Sequence, residues 1–276
     1  MMIDLLSMGF FQRALVGGVA VSALCGSLSV FVTLRRMSFI GVGVSHSAFG
    51  GVALGFLLGV DPLWTGVGFA VLVAVLIEWA QSKGEMEEDT AIGIFFATSM
   101  AMGVVFVNLS KHYNVDLFGF LFGNILAIGR RELWEILLVS GGVLAFIGLF
   151  YKELVFLAFD EEMAWLSGVP VSLLRYIFLV ILALAVIVSI HLTGVILVSA
   201  LLVIPGAAAR NLSKDIHKMV GISVAVAMLC TLGGLVLSAA VDFPSGATVV
   251  LLLSVFFFLS LLANKLPCIT RPFVKS

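Results

Sequence analysis

Six stretches of the chain, 14–34, 37–60, 90–110, 176–209, 219–241 and 243–264, contain no Asp, Glu, Lys or Arg. A helix rises 1.5 Å per residue, so roughly 20 apolar residues cross a hydrocarbon core about 30 Å thick. Each window matches or exceeds that length. Only 11% of the 276 residues are charged and 62% are hydrophobic, whereas a soluble domain carries roughly 25% charged residues. Ordinary core burial does not account for a deficit of that size. The chain reads as an all-α integral membrane protein.

Apolar runs between charges and turn signals place about nine helices, near 11–34, 38–59, 63–82, 90–109, 132–151, 171–190, 194–209, 216–240 and 245–263. The seventh is short and ends at the pair Pro205-Gly206. The apolar run 118–128 is about half a span, which suits a surface or re-entrant helix. With the N-terminus outside, Arg13, Lys111, Arg130 and Arg131 face out, and the other eleven of the fifteen Lys and Arg face in. That split follows the positive-inside rule and predicts N-out, C-in. The N-terminal MMIDLLSMGFFQR lacks the basic region of a signal peptide, so the first apolar run is expected to be a retained helix. No loop is long enough for a soluble catalytic module, and 1–276 reads as a single transmembrane domain.

Gly43, Ser47, Gly51, Gly55 and Gly59 recur every fourth residue through the second helix. Small residues at that spacing let another backbone approach closely, so the stripe predicts a helix–helix packing seam. His46 lies at the middle of this helix, flanked by Ser45 and Ser47. An ionisable group at depth must face a partner or a wet cavity. Position alone leaves two readings open: a neutral histidine bonded within the seam, or a functional group. His191, at the outer end of the sixth helix, is easily solvated there, and His112 and His217 fall in loops.

The loop FDEEMAWLSGVPV (159–171) differs in kind. It opens on Asp160, Glu161 and Glu162, continues as a short amphipathic helix through Ala164, and breaks at Gly168 and Pro170. A small helix between two spans is either a docking knob for a cytosolic partner or an ordinary surface loop with an acidic helix start. Net charge is −1, which gives no reason to expect nucleic acid as a partner. No GxxxxGK[ST] phosphate loop, HExxH or paired-cysteine motif occurs, so ATP hydrolysis by this chain through a phosphate loop is excluded. Cys25, Cys230 and Cys268 have no metal-ligand spacing and read as small packing residues.

Six segments taken together resemble the membrane (permease) subunits of bacterial zinc, manganese and iron uptake ABC transporters. They are MSFIGVGVSHSAFGGVALGF (37–56), EDTAIGIFFATSMAMG (88–103), LFGNIL (121–126), FDEEMAWLSGVPV (159–171), TGVILVSALLVIPGAAAR (193–210) and DFPSGATVVLL (242–252). They follow the family's order and cover essentially the whole chain. The resemblance implies a type II ABC importer permease fold in the bacterial cytoplasmic (inner) membrane, with two copies lining a central path. Each copy would rest Asp160, Glu161, Glu162, Ala164 and Gly168 against one of two cytosolic ABC ATPase subunits. An extracytoplasmic metal-binding protein would deliver the ion, docking on a platform that includes LFGNIL.

One departure bears on mechanism. Family members typically read Gly-Asp where this chain reads Gly41-Val42, with the histidine four residues on. Asp and His at i and i+4 share a helix face and can grip one cation. Here Val42 replaces the carboxylate and the metal role carries over to His46 alone, with Ser45 and Ser47 as candidate helpers. The permease is expected to hold no permanent cofactor, its metal being cargo. Imidazole suits zinc, copper, iron and nickel, while manganese prefers oxygen, so the missing carboxylate tilts the expectation toward zinc. Two readings compete with metal import. A type II importer of a metal chelate or small solute would make His46 structural. A secondary transporter would need buried acids within its helices and an inverted repeat; only Glu78 and Glu135 occur, near helix ends.

Overall fold

The computed structural model describes residues 8–84, 86–110 and 128–265. These residues form α1 (Gly9–Leu34), α2 (Ile40–Leu58), α3 (Pro62–Gly84), α4 (Glu88–Leu109), α5 (Arg130–Leu149), α6 (Tyr151–Phe159), α7 (Glu161–Leu166), α8 (Val171–Ile190), α9 (Thr193–Leu212), α10 (Ile216–Val241) and α11 (Ser245–Lys265). Nine of the described helices, all except α6 and α7, are long and apolar enough to span a membrane. The half-span expected at 118–128 and the LFGNIL platform lie outside the described residues, apart from Ile128, whose carbonyl accepts from Arg13 Nε at 2.8 Å.

Residues 171–212 are helical almost throughout, and Gly194 breaks them with φ 79° and ψ 162°. That region of the backbone map is essentially open only to glycine. The break reverses the chain. Ser189 Oγ lies 3.7 Å from Cys25 Sγ, and the Gly206 N–H donates to Ser29 Oγ at 2.8 Å. Seventeen residues of straight helix would rise about 26 Å, whereas Cys25 and Ser29 stand about 6 Å apart along α1. The chain therefore folds back at Gly194, and α8 and α9 are each long and apolar enough to cross a membrane. The seventh helix does not end at Pro205-Gly206, as its proline suggests, but continues to Leu212. Proline removes one N–H, and a helix packed among other helices tolerates that loss; here Gly206 presses its backbone on Ser29, where a Cβ would collide with the carbonyl.

α1 is the central helix. In its most apolar window 72% of residues are buried, against 22% for α4, α5 and α11, which form the periphery. It packs on the α8–α9 hairpin and on α10, through small and hydroxyl residues: Ser22 Oγ donates to Gly18 O or Thr231 Oγ1, and Ser223 Oγ to Gly26 O. Cys25 and Cys230 are buried free thiols, as expected of packing residues.

α2 packs mainly on α3 and α4. A Cβ on Gly51 would come within 2.5 Å of Phe69 Cβ, and one on Gly55 within 2.8 Å of Pro62 Cα. Gly43 faces Ile92 of α4 in the same way, so the stripe is the packing seam the spacing predicts. Gly59 is different: it faces open space and ends the helix, its N–H returning to Gly55 O.

The fifth span stops at Leu149 and a separate helix, α6, follows it. Leu154 and Leu157 bury one face of α6 while Phe156 and Phe159 stay exposed, the pattern of an amphipathic helix lying at the edge of the bundle.

Candidate functional site

Two places hold the chemistry that the sequence singles out. The first is the Val42–His46 face of α2. His46 is the seventh residue of that helix, nearer its N-terminal end than the middle position expected from the apolar run. Val42 and His46 are both half-buried, one turn apart. His46 Nδ1 lies 3.0 Å from Val42 O, and its ring meets Phe96 of α4 edge-on, with centroids 5.0 Å apart. A carbonyl oxygen only accepts, so this contact requires Nδ1–H as donor and leaves the lone pair on Nε2. That tautomer is the one a metal ligand at Nε2 requires.

Ser45 and Ser47 do not join this face. Each sits about 100° around the helix from His46. Both are fully buried, and Ser47 Oγ donates to Gly43 O at 2.7 Å. A cavity of about 470 Å³ opens beside Val42 between α2 and α4, walled chiefly by Phe39, Val42, Asp89, Thr90 and Phe96. Asp89 supplies a carboxylate to its lining. The described residues contain no group of three or more His, Cys, Asp or Glu side chains able to enclose a metal.

The second place is α7. Asp160 caps it, Oδ1 accepting from the Met163 N–H at 3.0 Å, which satisfies one of the orphan donors of the first turn. At the other end Gly168 takes φ +85°, and the Gly168 and Val169 N–H groups return to Trp165 O and Ala164 O. Positive φ at that position favours glycine. Ala164 is buried against the bundle, while Trp165 and Leu166 are each 70% exposed and Met163 more than half. The loop thus turns an apolar tip outward from a fixed base.

Sequence reasoning placed Glu78 near a helix end and gave it no role. The structure buries it to 1% exposure, with Oε1 2.7 Å from Arg175 Nε. Arg175 Nη1 donates to Glu161 Oε2 at 3.1 Å, and Arg35 Nη2 lies 3.6 Å from Glu161 Oε1. Arg35 also stands over the Phe178 ring, 5.6 Å from its centroid. The signal available was an acid inside α3, whose other charge is Lys83 in its last turn, since acids inside spans are rare and paired.

Residues 7–264 match the ABC 3 transport family. The chain belongs to that family. It is 33% identical over 257 residues to the manganese transport system membrane protein MntC of Halalkalibacterium halodurans, covering 93% of this chain and 88% of that protein. It is 35% identical over 252 residues to the high-affinity zinc uptake system membrane protein ZnuB of Haemophilus influenzae, covering 91% and 97%. The solved structure of PsaBC from Streptococcus pneumoniae in complex with Fab includes a similar chain, with a TM-score of 0.82, 32% identity and 94% of each chain covered. Membership of the ABC 3 transport family makes the chain a membrane-spanning permease subunit, and its bundle has the importer permease fold.

Proposed function

We propose that this ABC 3 permease carries a divalent metal ion, zinc or manganese, into the cytoplasm, driven by ATP hydrolysed on a separate subunit. The observation that carries the reading is the His46 face: an imidazole whose Nδ1–H donates to Val42 O, one turn from Val42, which lines a cavity with Asp89 on its wall. It is supported by whole-length similarity to membrane proteins named for manganese and zinc transport. His46 contacts the ion in passage, at a site weak enough for the ion to leave. An imidazole with no carboxylate at position 42 suits zinc better than manganese.

Two copies form the pathway, in the orientation N-out and C-in that the Lys and Arg distribution favours. In that orientation α7 lies on the cytoplasmic face, where the exposed Trp165 and Leu166 meet the ATPase. An extracytoplasmic metal-binding protein delivers the ion to the opposite face. The test is ATP-driven uptake of zinc, manganese and iron into proteoliposomes holding the permease, its ATPase and its binding protein. Uptake of zinc or manganese that His46→Ala abolishes, in a complex that still assembles, supports the reading. Uptake unchanged by His46→Ala removes the histidine from the path, and no metal uptake at all overturns the cargo.

A further inference from the structure

The four charges Arg35, Glu161, Arg175 and Glu78 lie in an unbroken line of alternating sign through four helices. Glu161 belongs to α7, Arg175 to the second turn of α8, and Glu78 to α3, while Arg35 caps the C-terminal end of α1. Glu161 gives one carboxylate oxygen to each arginine: Oε1 to Arg35 at 3.6 Å and Oε2 to Arg175 at 3.1 Å. Arg175 then reaches on to Glu78 at 2.7 Å. Exposure is greatest at Glu161, 40% for its side chain, and falls towards both ends of the line, to 5% for Arg35 and 1% for Glu78.

Burying such a set is poor value as a source of stability, because desolvation offsets most of the Coulomb attraction. Apolar residues of similar volume would hold α7 to the bundle at least as well. Charges differ from apolar packing in being directional. They fix where one helix end sits relative to another, and they transmit a displacement along the line of contacts. Both ends of this line lead to α2. Arg35 is followed by Arg36, held at φ 60°, and by the fully buried Met37, directly before α2 begins. Glu78 stands on α3, which meets α2 face to face at Gly51 and Gly55. α2 carries Val42 and His46.

We propose that Arg35, Glu161, Arg175 and Glu78 act as a strut that passes movement of α7 to the pathway face of α2. They are positioning residues, with no contact to cargo or nucleotide. The proposal rests on the reading that a partner ATPase moves α7, and it assigns the residues through which that movement travels. Glu161 contacts both arginines, so neutralising it opens the line at its middle. Glu161 is also partly exposed, which lets Glu161→Gln keep its place at the start of α7.

The experiment uses the full complex with its ATPase, in liposomes. Val42→Cys reports the pathway face through its rate of reaction with a charged, water-soluble thiol reagent, with and without ATP. Cys25 and Cys230 are buried, and a Val42 control without the new thiol corrects for their background. ATP is expected to change the Val42→Cys rate several-fold, and Glu161→Gln to reduce that ATP response by about tenfold in complexes normalised to the ATPase they retain. Glu78→Gln added to Glu161→Gln is expected to cause little further loss, since the two break one line. An ATP response that survives Glu161→Gln, or a rate in the unmutated strut that ATP leaves unchanged, overturns the strut. A strong, Glu161-dependent ATP response without metal uptake supports the strut and overturns the metal-import reading instead.

Discussion

Arg175 Nε lies 2.7 Å from Glu78 Oε1, and that carboxylate is 99% removed from solvent. Removing one member of a buried pair costs far more than removing both, because the survivor is left charged without a partner. Arg175→Ala is therefore expected to destabilise the permease by about 3–5 kcal/mol. Glu78→Gln is expected to cost much less. The double variant should recover most of the loss, as thermal unfolding in detergent will show. Equal losses for Arg175→Ala alone and in the double variant would mean that Glu78 does not depend on Arg175.

Gly194 turns α8 into α9 at φ 79° and ψ 162°. Gly194→Val is expected to cost about 1–3 kcal/mol, because residues with a side chain rarely enter that region. Gly141 on α5 gives the contrast: a Cβ there meets nothing within 4 Å. Gly141→Ala should be neutral or stabilising by up to about 1 kcal/mol, as in any exposed helical position. Thermal melts of the two variants side by side decide whether the hairpin depends on the glycine.

How much of this was legible depended on whether the signal was local. The α8–α9 reversal was visible because Thr193 and Gly194 interrupt a charge-free run, and the observed arms Val171–Ile190 and Thr193–Leu212 fall close to the expected 171–190 and 194–209. The α2 stripe was legible for the same reason, since a four-residue repeat is a one-helix property. α6 was missed because Tyr151 follows the fifth span with only Phe150 between, so the apolar run hides the change of direction. Pro205 misled because its cost is a single N–H. Glu78 could be seen as an acid in an apolar helix, but its meaning lies in Arg175 and Glu161, on elements far along the chain. Position alone left His46 open. The contact with Val42 O, which fixes its tautomer, belongs to rotamer geometry that spacing does not reveal.

Val42 and His46 share one half-buried face. Val42→Asp would place a carboxylate one turn from the imidazole, within reach of the same cation. A second ligand of opposite charge is expected to lower the metal concentration for half-maximal uptake by about tenfold and to raise manganese uptake relative to zinc, since added oxygen ligation favours manganese. Maximal uptake should fall as release slows. Concentration dependence of zinc and manganese uptake in the two variants measures both effects. No change in either metal would show that position 42 does not face the ion.

Trp165 and Leu166 expose their side chains at the tip of α7 while Ala164 anchors its base. A change confined to an exposed side chain usually shifts stability by no more than about 0.5 kcal/mol. A large aromatic at the centre of an interface, by contrast, commonly carries 2 kcal/mol or more, about a thirtyfold change in affinity. Trp165→Ala is therefore expected to leave the thermal midpoint of the isolated permease nearly unchanged while sharply weakening its affinity for the ATPase. Ala164→Leu should do the reverse: the added volume has no room under a fully buried Cβ, so it disturbs the seat of α7 and lowers permease stability itself. Binding and melting measured on both variants separate the two roles. If Trp165→Ala binds the ATPase as tightly as the unaltered chain, the apolar tip is not the docking surface and the acidic flank at Glu161 and Glu162 must carry the contact.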